Sequence, residues 1–125
     1  MKQHRTLMIC SLLSILLLTL HVTDDIVRGI SKADSSNLVA LPVLALLLYG
    51  TLELAETRSG HVIMFLVGLL AVGMPYLHMK GARYGEIAAS SGGFFFVWTL
   101  FALGALGLVG MVLSVRGLWR MRSGS

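Results

Sequence analysis

Four stretches without a single charged side chain, residues 6–23, 35–52, 59–79 and 87–115, decide what this chain can become. They are 18, 18, 21 and 29 residues long, and roughly 17–25 apolar residues in helical form cross the hydrocarbon core of a bilayer. Charge is scarce throughout, at 13% of residues against 56% hydrophobic, where an ordinary soluble domain carries roughly 25% charged residues. The 16 charges lie between the stretches: Lys2 and Arg5; Asp24, Asp25, Arg28, Lys32 and Asp34; Glu53, Glu56 and Arg58; Lys80, Arg83 and Glu86; Arg116, Arg120 and Arg122. Hydrocarbon offers the backbone no hydrogen-bond partner, so each stretch must be helical. The expected fold is an all-α membrane protein with four transmembrane helices in an antiparallel up-down bundle, over about residues 6–22, 38–54, 61–79 and 93–115. One membrane domain then spans residues 1–125, with outer loops 23–37 and 80–92, an inner hairpin 55–60 and a basic C-terminal tail 116–125.

Met1 to Arg5 followed by Thr6 to Leu20 has the basic and apolar regions of a targeting signal. The run ends in His21, Val22, Thr23, Asp24 and Asp25 and offers no small-x-small cleavage site, so an uncleaved first helix is expected. Residues 7–10 also lack the small residue before the cysteine that a lipoprotein box needs. Ser36 or Asn37 is placed to cap the second segment, and Ser90 or Ser91 the fourth. Pro42 falls in the early turns of segment two, whereas Pro75 falls late in segment three and predicts a weak point there. Phe94, Phe95, Phe96 and Trp98 at one end of the last segment, and Trp119 at the other, resemble interfacial aromatic belts. Counting cations near the segment ends gives six on one side (Lys2, Arg5, Arg58, Arg116, Arg120, Arg122) and four on the other (Arg28, Lys32, Lys80, Arg83). That bias puts both termini in the cytoplasm.

A net charge of +4 and a pI near 9.7 do not point to nucleic acid, because the basic residues form no stripe on one face. The lone cysteine, Cys10, excludes an intramolecular disulfide and a cysteine-rich zinc site. No P-loop, Rossmann fingerprint, nucleophile elbow or HExxH motif is present, and no catalytic residue is assigned. Chemistry has one foothold. His21, Asp24 and Asp25 stand at i, i+3 and i+4, so a helix continuing past Val22 places all three on one face. His78, at the same end of segment three, and Glu86 in the next loop are within reach of them. Two imidazoles with carboxylates suit a divalent transition metal, which makes His21, Asp24, Asp25 and His78 the candidate metal ligands. The same two histidines allow a second reading, as axial ligands of a haem between segments one and three. A third needs no cofactor: amphipathic interface histidines beside aspartates that are solvated or paired with Arg28. Glu53 and Glu56 flank the short hairpin, close enough to the headgroups for a structural role. Gly104, Gly107 and Gly110 mark a surface for close packing within the chain or between two copies.

The stretches His21 to Gly29 (HVTDDIVRG), Tyr76 to Lys80 (YLHMK) and Ser90 to Trp98 (SSGGFFFVW) resemble those of a group of small hypothetical bacterial four-span membrane proteins. That resemblance implies an integral membrane location and four helices, and it transfers no activity. Small four-span drug exporters are near in length but carry a coupling carboxylate within the first span, where residues 6–23 hold no acid. Three functional readings stand. The first is a non-enzymatic accessory or scaffold component of the bacterial inner membrane, without cofactor, whose partners are the bilayer, other membrane subunits or a second copy. The second is an outward-facing metal- or haem-binding membrane protein. The third is a small oligomeric transporter.

Overall fold

The computed structural model describes residues 2–30, 38–81 and 83–124, and these are mostly helical, with no strand among the described residues. The helices are α1 (Lys2–Val27), α2 (Ala40–Leu52), α3 (Arg58–Met79), α4 (Tyr84–Ala89) and α5 (Gly93–Ser123). Three of them, α1, α3 and α5, are long and apolar enough to cross a membrane, while α2 is a shorter apolar helix of 13 residues. Buried layers fix their directions. Leu7 of α1 meets Met64 of α3 and Leu113 of α5; Ile15 meets Leu47 of α2 and Val67; Leu18 meets Ala71 and Leu103. Numbers rise together along α1 and α3 and fall along α2 and α5, so neighbours in sequence run antiparallel.

The outer surface is rich in apolar side chains, and the interior, though mainly apolar, also holds polar ones. Leu16, Leu41, Leu46, Leu66, Leu108 and Phe101 are exposed, while Ser11, Ser14, His21, Thr51, His61, Thr99 and Ser114 are buried. Apolar outer faces are at ease in lipid, where helices gain from close contact and polar pairing rather than from burial of oily surface. Both devices are present. Gly68 of α3 and Gly107 of α5 cross backbone to backbone: a Cβ on Gly107 would stand 2.6 Å from the Gly68 carbonyl oxygen, and one on Gly68 would stand 2.7 Å from that of Gly107. Ser11 and Thr51 share a buried 2.8 Å hydrogen bond between α1 and α2, an interaction worth about 0.6 kcal/mol on average within a membrane.

Several helix ends differ from the expected ones. The first helix runs from Lys2 through Val27, and Asp24 and Arg28 support its last turn as an i,i+4 ion pair. The last helix runs on through Arg116 to Ser123, so those basic residues form its final turns rather than a separate tail; Arg120 and Arg122 there oppose the negative helix end. Between Leu52 and Arg58 the chain reverses tightly. Thr57 caps α3 by accepting a hydrogen bond from the Gly60 amide at 3.0 Å, and a side chain on Gly60 would strike the Leu54 carbonyl. Helix α3 continues through Pro75 to Met79. Neither Ser90 nor Ser91 caps α5: that position is Gly92, with φ at +76°, while the Ser90 hydroxyl turns back to the Ile87 carbonyl. The expected caps Ser36 and Asn37 lie outside the described residues.

Candidate metal centre

Helix α1 presents one continuous seam to the rest of the molecule. His4, Leu7, Ser11, Ser14, Leu18, His21 and Asp25 follow one another at alternating steps of three and four, the spacing that keeps side chains on one helix face. His21 is fully buried on this seam, and Asp25 lies one turn beyond it with its side chain 13% exposed. His78 arrives from α3, whose last turns run beside those of α1. Its Nε2 stands 3.3 Å from His21 Nε2 and 3.0 Å from Asp25 Oδ2. His21 Nε2 lies 3.8 Å from Asp25 Oδ1. One ligand atom from each of the three residues lies within 4.8 Å of the other two.

The protons in this cluster are constrained. His78 Nδ1 sits 3.0 Å from the carbonyl oxygen of Met74, four residues back on the same helix. A carbonyl only accepts, so Nδ1 carries the hydrogen and, in the neutral ring, Nε2 carries the lone pair. That lone pair faces a carboxylate oxygen and a second imidazole nitrogen. With both rings neutral, at least the His78 Nε2 to Asp25 Oδ2 contact is acceptor against acceptor. His21 Nδ1 and Asp25 Oδ1 are moreover buried without a hydrogen-bond partner, which is costly in a site screened from water. The arrangement wants a positive charge at its centre. Either a proton on His78 or a metal ion supplies it.

Phe96 of α5 closes the site from the side, with its ring centroid 5.1 Å from that of His21 and 5.7 Å from that of His78. Arg28 fastens the surround: it pairs with Asp24 at 2.7 Å and donates to the Ser90 hydroxyl at 3.0 Å and the Gly92 carbonyl at 2.9 Å. The end of α1 is thereby held to the start of α5. Of the residues singled out in the sequence, His21, Asp25 and His78 come together. Asp24 does not join them, because Arg28 takes it. Glu86 lies exposed on α4, 3.8 Å from Arg83, apart from the cluster.

Sequence reasoning left Phe96 as a belt and packing residue and gave no ligand-binding role to His4 or His61. The signal for Phe96 was weak, one aromatic among several. For the histidines a signal existed: His4 and His21 on α1, and His61 and His78 on α3, are each 17 residues apart. Compared with known proteins, the chain matches no family model, no curated protein and no solved structure.

Proposed function

We propose that this chain is a four-span protein of the bacterial inner membrane, with both termini in the cytoplasm, that holds a divalent transition-metal ion at its outer end through His21, Asp25 and His78. The observation that carries the reading is the meeting of two Nε2 atoms and a carboxylate, with the His78 ring preset by its Nδ1–H bond to Met74. Metal-bound histidines characteristically donate their second nitrogen in this way. The 3.3 Å separation of the nitrogens equals the edge of a tetrahedron built on Zn–N bonds of about 2.0–2.1 Å, roughly 3.3 Å. Three protein ligands leave a fourth position for water or a partner's ligand.

A haem fits this geometry poorly. Axial imidazoles face an iron from opposite sides, whereas these rings meet edge to face at 77° with centroids 4.6 Å apart, and Phe96 lies against both. A path through a single chain is likewise disfavoured, because layers of Leu, Val and Met side chains fill the space between α1, α3 and α5. The ion therefore belongs to an accessory membrane protein that binds it at one face. The test is zinc binding by the full chain in lipid nanodiscs, with His78→Ala and Asp25→Asn beside it. Since loss of a supporting outer-shell group costs 10–100-fold in affinity, loss of a direct ligand should cost about 100-fold or more. A chain that takes up no zinc, copper or iron overturns the reading, as does uptake that neither substitution weakens.

A further inference from the structure

At the opposite end of the molecule α1 and α3 bring together a second pair of histidines. The His4 and His61 rings lie 6.4 Å apart, centre to centre, on a cavity of about 210 Å3 whose wall also includes Gln3, Glu56, Gly117 and Arg120. His61 repeats the arrangement of His78: its Nδ1 is 3.0 Å from the carbonyl oxygen of Thr57, four residues back. Its hydrogen is thereby committed to the backbone, and its Nε2 keeps the lone pair. The Nε2 and Cδ2 edge of that ring lies over Gly117, where any side chain would collide with it. Gly117 thus makes room on α5 for the imidazole. Gln3 donates to the Leu113 carbonyl at 3.3 Å and holds the first turn of α1, with His4, against α5.

From the shared cavity, the preset His61 ring and the repeated register we infer that His4, His61 and Glu56 form a second binding site for a divalent transition-metal ion, at the inner end. Its composition, two imidazoles and one carboxylate, repeats that of His21, His78 and Asp25. The 17-residue offset within each helix places the two sites about 25 Å apart along the axis at 1.5 Å per residue, close to the roughly 30 Å depth of the hydrocarbon core. Each membrane face then carries one site. The inner ligands do not share the 4.8 Å spacing of the outer triad, so binding there requires the half-buried His4 and the exposed Glu56 to move onto the ion. Arg120 borders the same cavity, and because it is exposed its guanidinium has water as an alternative when a cation arrives.

The site stands on its own residues, and the experiment separates it from the outer one. Zinc equivalents bound by the full chain in nanodiscs are counted by equilibrium dialysis and elemental analysis, for the native chain, for His21→Ala/His78→Ala, and for His4→Ala/Glu56→Gln. The last pair changes only half-buried or exposed side chains, so helix content by circular dichroism should match that of the native chain. Two equivalents natively, one in each double variant, is the expected result. One equivalent natively that vanishes in His21→Ala/His78→Ala and persists in His4→Ala/Glu56→Gln overturns the inner site and leaves the outer one standing. One equivalent with the reverse pattern supports the inner site and removes the outer. No uptake by the native chain overturns both.

Discussion

One hydrogen bond at His78 sets the chemistry of its neighbourhood. Because Nδ1 donates to the Met74 carbonyl, the ring can offer only Nε2 to Asp25 and His21, and protons compete with a metal ion for that position. The sign follows directly: binding needs both imidazoles neutral and a proton on either ring competes with the ion, so zinc affinity should rise with pH. Zinc titration at pH 5.5 and 7.5 in a weakly buffered solution checks this, with proton release accompanying binding; equal affinity at both values would contradict it. At this scale the sequence brought out His21, Asp25 and His78, which the fold places together, but could not separate Asp25 from Asp24, which it places with Arg28. On a helix Asp25 stands about 40° to one side of His21 and Asp24 about 60° to the other, at 100° per residue, and the α3 helix happens to lie on the side of Asp25. Arg28, four residues beyond Asp24, was the available clue to its pairing. The His21–His78 contact joins residues 57 positions apart, a distance that no local pattern bridges.

Among the elements, the crossing of α3 and α5 at Gly68 and Gly107 holds the site's two walls in register. Met74 and His78 lie on α3 beyond the crossing, and Phe96 lies on the matching part of α5. Gly107→Val should force the backbones apart, since the added carbons meet the Gly68 carbonyl at 2.6 Å and the Ala71 methyl at 2.8 Å. Overpacking of this kind typically costs 1–3 kcal/mol. The thermal midpoint in detergent should fall in step with zinc affinity, whereas Gly110→Ala, with nothing within 4 Å of the added carbon, should change neither. The charge-free stretches located α1, α3 and α5 well because lipid leaves no alternative to a helix. They misplaced the ends because capping and ion pairing, rather than apolarity, decide where a helix stops. The short α4 (Tyr84–Ala89) escaped notice because six residues carry too little periodicity to read.

For the molecule as a whole, an outer surface rich in exposed Leu, Val and aromatic side chains suits a bilayer. The cation count then sets its orientation, and a reporter fused after Ser123 tests that. A cytoplasmic reporter should be active there, and an active periplasmic phosphatase would reverse the proposed topology. The proposed architecture rests on charge spacing along the chain, whereas for the site the sequence could name candidate residues but not which of them meet, because that depends on which faces of α1 and α3 pack together. The central claim is the coordination of a metal by His21, Asp25 and His78. It is tested most directly by zinc-edge X-ray absorption on the His4→Ala/Glu56→Gln chain loaded with one equivalent. Two imidazole nitrogens and one carboxylate oxygen at about 2.0–2.2 Å are the predicted shell; a shell without imidazole, or one unchanged when His21 and His78 are also replaced by alanine, would contradict it.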